Sequence, residues 1–343
     1  MTVPSTLDIT VSSLGERLLI ERIRARLSMP SWVVVGPGDD AAVLRPVRGE
    51  FEVFTTDAVV DGVHVDRRFV PPDAIGHRAL AVNLSDLAAM GAEPRAALLS
   101  LALPASSPVA LLDGLLDGLL ALAAEHRVTL IGGNLTSTPG PLMVDVTAIG
   151  SVRPRRILTR VGARPGDEIY VTGSLGDAAA GLDVLVEACA GGGDEPWREP
   201  SRVCQRYLRP TPRVRAGLLL GRNRVPTSCM DLSDGLADGV RQMAQASDVG
   251  MTIDLDALPI ADDVRQWYGR RQRDPVAAVL AGGDDYELLF TVRPGAARRL
   301  RGVRQALGDL PITRIGVVTR AREILVRSPS GTTTLGHGFE HFS

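Results

Sequence analysis

Apolar residues cover nearly every side of a helical wheel over residues 78–91, Arg-Ala-Leu-Ala-Val-Asn-Leu-Ser-Asp-Leu-Ala-Ala-Met-Gly, which predicts a helix buried in protein. Gly91 and Pro94 supply its stop. Asn83 and Asp86 break the apolar pattern three residues apart, so both project from one face. A buried carboxylate is costly unless it is paired, hydrogen-bonded or bound to a metal, so something cationic is expected opposite them.

Elsewhere the pattern alternates between helical and strand-like stretches. An amphipathic helix is expected over 12–27, on the spacing of Leu14, Leu18, Leu19, Ile23 and Leu27. Strands follow at 33–35, 42–44 and 52–56. After the buried helix come a strand at 95–103, a helix over 107–126, and strands at 128–131 and 142–150. The charged segment Val152-Arg153-Pro154-Arg155-Arg156 is the expected crossing, dividing the chain into domains 1–152 and 153–343. The second domain predicts a strand at 167–172, a helix to about 190 and a Gly-rich surface loop over 190–196. Helices at 211–221 and 235–246 and strands at 251–255, 286–292, 312–318 and 323–327 complete it. The fold class is α/β with mixed sheets.

Composition narrows the chemistry. At 343 residues with 45% hydrophobic and 23% charged positions, the chain has the make-up of a globular protein with two cores. A formal charge of -2 offers no long-range attraction to nucleic acid or an anionic membrane, and neither is expected as a partner. All 38 Lys+Arg positions are arginine. A Walker-type phosphate loop and Schiff-base chemistry both need lysine and are excluded, so metals and arginines must neutralise any phosphate. Cys189, Cys204 and Cys229 have no paired spacing, and no apolar run approaches the roughly 20 residues of a membrane span, so cytoplasmic residence is expected.

Two acidic turns are candidates to share a cation with Asp86. Gly36-Pro37-Gly38-Asp39-Asp40 follows the apolar run 32–35, and Thr55-Thr56-Asp57 ends the strand-like 51–54. Carboxylates gathered in this way repel unless hard cations lie between them, and oxygen-only ligands suit Mg2+ or Ca2+. The reading is a magnesium site that holds phosphates. A third acidic turn, Asp231-Leu232-Ser233-Asp234-Gly235, precedes a helix and exceeds what a cap requires. Gly132 and Gly133 stand at an expected strand end, and Gly173-Ser174-Leu175-Gly176 has the form of a phosphate-cradling turn; either is equally a plain turn. His64 and Arg160 are a titratable group and a phosphate clamp by chemistry, but each is unremarkable by position.

Gly36-Pro37-Gly38-Asp39-Asp40-Ala41-Ala42, Thr56-Asp57, the run from Ala81 to Ala92, Asp231-Leu232-Ser233-Asp234-Gly235 and Gly282-Gly283-Asp284-Asp285-Tyr286-Glu287-Leu288 resemble the thiamine-monophosphate kinase family in order and spacing. The resemblance runs to the tail, Gly338-Phe339-Glu340-His341-Phe342. It implies a two-domain aminoimidazole ribonucleotide synthetase-like fold whose N-terminal sheet pairs with that of a second subunit in a homodimer. It implies ATP-dependent phosphorylation of thiamine phosphate to thiamine diphosphate with several Mg2+. Carried over by position, Asp40, Thr55, Thr56, Asp57, Asp86, Asn134, Asp231 and Asp234 contribute to metal binding, and Gly133, Asn134, Arg160 and Ser233 to ATP binding. His64, Asp284 and Phe339 contact thiamine phosphate, and Asp40, Asp57, Asp86 and Arg160 carry catalysis.

The family usually has aspartate where this chain has Asn134, and tyrosine where it has Phe339. Asn134 is the feature that favours an alternative, a nucleotide-binding homologue with impaired catalysis acting as a regulatory or assembly subunit. A relative with another phosphorylated acceptor is a further alternative. The selenophosphate synthetase relative needs an early reactive cysteine, and the hydrogenase-maturation relative a C-terminal one. The first cysteine here is Cys189 and the chain ends His341-Phe342-Ser343.

Overall fold

The computed structural model describes residues 9–191 and 200–335, so Phe339 and most of the expected 190–196 loop lie outside the described residues. The chain divides into two units, Met1–Leu84 with Pro94–Ser151 and Ser85–Glu93 with Val152–Ser343. In the first unit the single helix expected over 12–27 is two, α1 (Val11–Leu14) and α2 (Glu16–Arg24). Gly15 between them takes φ 81°, a left-handed turn that no continuous helix accommodates. β1 (Val33–Val35) and β2 (Val43–Leu44) pair antiparallel. Trp32, Val33, Ala42 and Leu44 from this pair and its approach pack on Ala96, Ile131 and Ile149.

The remaining elements of this unit are β3 (Phe51–Val60), α3 (Pro72–Ala89), β4 (Glu93–Pro104), α4 (Val109–His126), β5 (Thr129–Thr138) and β6 (Met143–Val152). Their sheet has the order β3-β6-β4-β5, with β4 and β5 parallel. Along β4, Leu99, Leu101 and Leu103 are buried while Ser100 and Ala102 are half-buried, the period of a sheet covered mainly on one face. Two glycines let helix backbones touch. A Cβ on Gly76 would stand 1.8 Å from the Leu115 carbonyl oxygen, and one on Gly118 only 1.7 Å from that of Asp73. No side chain of any size fits there.

Two expected turns are strand instead. β5 continues through Gly132-Gly133-Asn134 to Thr138, and Leu99 pairs with Gly133. Gly133 takes φ 157° and a Cβ there would meet the Leu99 carbonyl oxygen at 1.9 Å, so the glycine serves close strand approach and not a turn. Likewise β3 runs past Thr55-Thr56-Asp57 to Val60.

The second unit contains β7 (Glu168–Thr172), α5 (Asp177–Ala190), α6 (Arg202–Leu208), α7 (Val214–Asn223), β8 (Ser228–Asp231), α8 (Leu236–Ser247), β9 (Gly250–Asp254), α9 (Asp262–Gly269), α10 (Pro275–Ala281), β10 (Leu288–Val292), α11 (Ala297–Leu307), β11 (Ile312–Thr319), β12 (Ile324–Ser328) and β13 (Gly331–Thr334). Its sheet order is β13-β12-β9-β11-β7-β10-β8. Pairing within it is antiparallel except for β12 with β9. The last residues of α3 cluster with this unit. The cause is local: Gly217 of α7 approaches so closely that a Cβ would meet the Ala88 carbonyl oxygen at 2.0 Å, and Leu158 N–H donates to Met90 O at 3.1 Å. Sequence periodicity misses α6, α9 and α10, which are only 7 or 8 residues long, and α11, whose buried Leu300 and Val303 are set among arginines.

The α3–α4 contact generates a test. Gly118→Ala should destabilise the protein by about 1–3 kcal/mol through overpacking, read as a lower urea midpoint at unchanged m-value. An unchanged midpoint would show that the two backbones can part freely.

Candidate active site

In the second unit, Asp231 ends β8 and is buried. Its Oδ2 accepts from Ser85 Oγ at 2.7 Å. Burial, then the charge of nearby Asp86, pushes the Asp231 carboxyl up to about 6, against the pull of the Ser85 hydrogen bond and of Arg160. Asp86 is only half-buried, whereas Asn83 and Ser85 on either side of Leu84 are fully buried. Asn83 Nδ2 donates to Ala79 O at 3.0 Å, and its Oδ1 has no partner among the described residues, an omission that costs about 1–3 kcal/mol. Ser85, which sequence reasoning missed, is the hydroxyl that orients Asp231. Its signal was a polar residue at an otherwise apolar position one step before Asp86.

The turn after β8 interlocks with residues 282–287. Asp284 N–H donates to Ser233 O at 2.6 Å, Tyr286 N–H to Leu232 O at 2.9 Å, and Leu232 N–H to Glu287 O at 2.9 Å. Gly283 permits this, since a Cβ there would meet Ser233 O at 2.4 Å. Asp284 and Tyr286 take left-handed φ of 69° and 50°, and Tyr286 Oη donates to Asp284 Oδ1 at 3.1 Å. Ser233 Oγ donates to Asp234 Oδ2 at 3.2 Å. Thus Asp231, Ser233, Asp234 and Asp284 come together on two interlocked turns.

Beneath them lie carboxylates that sequence reasoning passed over. Glu287 is fully buried; Arg206 Nη2 donates to its Oε1 at 2.6 Å, Arg213 Nε to its Oε2 at 2.6 Å and Thr172 Oγ1 to Oε2 at 2.7 Å. Arg202 forks onto buried Asp177 at 2.6 and 2.8 Å and also bonds Asp263. Asp285 accepts from Gly176 N–H at 2.7 Å and is pushed up to about 8 by burial, with Asp177 and Glu287 adding to the shift and the Gly176 amide opposing it. These contacts correct the reading of Gly173-Ser174-Leu175-Gly176. A Cβ on Gly173 would meet Glu287 Oε1 at 2.1 Å, and the first amides of α5 already hold Asp285, so the turn seats protein carboxylates where a phosphate was envisaged. The signal was Glu287 inside an apolar strand-like run.

Arg160 lies in an irregular segment; its exposed guanidinium donates from Nη1 to Gln242 Oε1 at 2.6 Å.

In the first unit, Asp40 is exposed in the β1–β2 loop, where its N–H donates to Asp39 Oδ1 at 2.9 Å. Strand alternation puts Thr56 on one face of β3 and Thr55 and Asp57 on the other, so the three side chains do not share a side. Thr56 Oγ1 lies 3.3 Å from Asp145 Oδ1 and 3.1 Å from Thr147 Oγ1 on neighbouring β6, which makes Asp145 a second acidic group that sequence reasoning missed. Gly133 and Asn134 are exposed on edge strand β5. His64 Nδ1 accepts from Val60 N–H at 3.1 Å, so in the neutral ring the proton sits on Nε2, which can donate. Among the described residues no group of three or more His, Cys, Asp or Glu side chains stands ready to hold a metal ion. Of the acidic residues singled out from sequence, Asp86 and Asp231 of the second unit lie close enough for the charge of one to act on the other.

Models of the AIR synthase related protein N-terminal domain and C-terminal domain match residues 38–152 and 164–327. The thiamine-monophosphate kinase of Escherichia coli K12 is 40% identical, over 96% of this chain and 98% of its own. A crystal structure of thiamine-monophosphate kinase from Stenotrophomonas maltophilia superposes with TM-score 0.79 at 40% identity, covering 90% of this chain and 95% of that one. AaThiL complexed with AMPPCP and TMP superposes with TM-score 0.74 at 29% identity, covering 97% and 99%. Hydrogenase maturation protein HypE, at 22% identity and TM-score 0.74, shares the fold.

The buried Asp285 generates a pH prediction. Its carboxyl binds its proton far more tightly folded than unfolded, so the stability it lends is complete below about 4 and lost as pH rises through about 8. Asp285→Asn should remove that decline in melting temperature between about pH 4 and about pH 8 while keeping the fold, and Asp285→Ala should lower the melting temperature at every pH. A decline of equal size in Asp285→Asn would assign it to other groups.

Proposed function

The chain belongs to the thiamine-monophosphate kinase family of AIR synthase related proteins, and from that premise we propose how its residues phosphorylate thiamine phosphate. The enzyme is a kinase that uses ATP to convert thiamine phosphate to thiamine diphosphate. The acceptor is a phosphate oxygen already ionised at neutral pH, so no catalytic base is needed. The work is positioning two polyanions for in-line transfer and neutralising charge.

The proposed Mg2+ donors are Asp40, Thr55, Thr56, Asp57 and Asn134 in the first unit and Asp86, Asp231 and Asp234 in the second. The observation that supports them is Asp231, a buried carboxylate held by Ser85 Oγ at 2.7 Å and pushed up first by burial and then by the charge of Asp86. An all-oxygen donor set of this kind fits Mg2+. These residues would hold the ion through their oxygens, and it would supply positive charge against that developing on the transferring phosphoryl group. Arg160, with Gly133, Asn134 and Ser233, is assigned to ATP, and His64, Asp284 and Phe339 to thiamine phosphate. His64 carries its neutral-ring proton on Nε2, the tautomer fixed by Val60 N–H on Nδ1. By position in the sequence, metal, nucleotide and dimer contacts are assigned to residues 1–152 and further nucleotide and substrate contacts to residues 153–343.

The enzyme is proposed to be a cytoplasmic homodimer paired through the first-unit sheet. Edge strand β3 exposes Phe51 and Phe54, the latter at 65%, and an unpaired apolar edge strand favours association. Among the described residues no helix is long and apolar enough to cross a membrane.

Purified protein with ATP and Mg2+ should form thiamine diphosphate, and Asp86→Ala should reduce turnover at least 100-fold, a loss of roughly 2.7 kcal/mol, at unchanged melting temperature. Full activity in Asp86→Ala would remove it from the catalytic group. Asn134→Asp should lower the Mg2+ concentration needed for half-maximal rate; no change would show that the amide ligates as well as the family's carboxylate. Phe54→Asp should shift sedimentation from dimer to monomer, and a dimer unaffected by the charge would place the pairing surface elsewhere.

A further inference from the structure

Arg160 is held at both ends by α8. Its main-chain carbonyl accepts from Ser247 Oγ at 3.2 Å, and the same hydroxyl accepts from Gly162 N–H at 3.1 Å and Ala163 N–H at 3.2 Å. Its guanidinium donates from Nη1 to Gln242 Oε1 at 2.6 Å. Gln242 in turn donates from Nε2 to Asp238 Oδ2, one helical turn earlier on α8.

The order of this chain is dictated by chemistry. An ionised carboxylate only accepts hydrogen bonds and a guanidinium only donates them. Asp238 therefore draws the amide NH2 of Gln242 towards itself, which leaves the amide oxygen facing Arg160. The flipped amide would set oxygen against carboxylate and NH2 against guanidinium, losing both bonds. Residues 238 and 242 are four apart on one helix, the spacing at which side chains meet.

The middle member being neutral has a consequence for charge. A carboxylate bonded directly to Arg160 would order the side chain but cancel much of its positive charge. An amide oxygen orders it and leaves the charge for a polyanion. Arg160 keeps enough field to pull on the buried Asp231 carboxyl. The half-buried arginines Arg206 and Arg213 show the opposite arrangement, each bonded directly to Glu287.

We propose that Gln242, oriented by Asp238, is a positioning residue that aims Arg160 at the phosphates of ATP; this rests on the reading of Arg160 as an ATP contact. Gln242→Leu should raise KM for ATP about tenfold, the effect of losing one charge-assisted hydrogen bond, with KM for thiamine phosphate within twofold of wild type. Gln242→Glu should raise it further, because the new carboxylate neutralises Arg160 and faces Asp238. Melting temperatures should match wild type in both. Arg160→Gln should raise KM for ATP by itself, and adding Gln242→Leu to it should change nothing more.

If Arg160→Gln leaves KM for ATP at the wild-type value, the ATP reading of Arg160 fails and the positioning role falls with it. If Arg160→Gln raises KM for ATP while both Gln242 variants keep the wild-type value, the positioning role alone is overturned. Equal loss on both substrates with a lowered melting temperature would make Gln242 a structural residue and also overturn it.

Discussion

Burying a carboxylate demands compensation, and the second unit supplies it in unequal measure. Glu287 receives two arginines and a threonine hydroxyl, and Asp177 a forked arginine. Asp285 receives helix amides and the proton it retains at neutral pH. Asp231 has one serine hydroxyl, its own backbone amide and the pull of Arg160 against burial and the charge of Asp86. The three compensated groups belong to the scaffold. The under-compensated one ends a strand beside two polar turns, which is where a divalent cation would lower the free energy most.

Arginine is the only strong cation this chain possesses, and the structure sorts it into two uses. Arg202, Arg206 and Arg213 spend their forks on carboxylates and hold elements together. Arg160 is bonded through a neutral amide and retains its charge. The partner's charge, not the arginine itself, decides whether the positive charge is cancelled or left available. No count of arginines along a sequence shows that difference, because the partners of Arg206 and Arg160 lie 81 and 82 residues away.

What the sequence made legible follows from how local each cause is. The buried helix was evident because its apolar pattern wraps around the whole wheel, and the mixed α/β units followed from alternating periodicities. Asp86, Asp231, Ser233 and Asp234 stood out as polar groups where caps and cores do not need them, and Asp86 and Asp231 do interact. Ser85 was invisible because its meaning comes from a carboxylate 146 residues on. Gly132-Gly133 was read as a turn because glycine marks both turns and close strand contacts, and only the Leu99 carbonyl beside Gly133 distinguishes them. The Gly173 turn was ambiguous for the same reason: room left by glycine can admit a phosphate or, as here, a glutamate.

Residues 284–287 join scaffold and site in four consecutive positions. Asp284 and Tyr286 face each other through a hydrogen bond, while Asp285 and Glu287 are anchored in the amide and arginine contacts below. Left-handed backbone at two non-glycine residues costs on the order of 1–3 kcal/mol each and persists only where surrounding contacts over-determine it. Here the anchors are the carboxylates on either side of Tyr286, together with backbone hydrogen bonds to Leu232 and Ser233. Relaxing the strain would require pulling Glu287 off two arginines. The strained turn therefore holds Asp284 against the backbone of Leu232 and Ser233, next in sequence to Asp231 and Asp234, so the geometry of the acidic turn is inherited from charges buried beneath it.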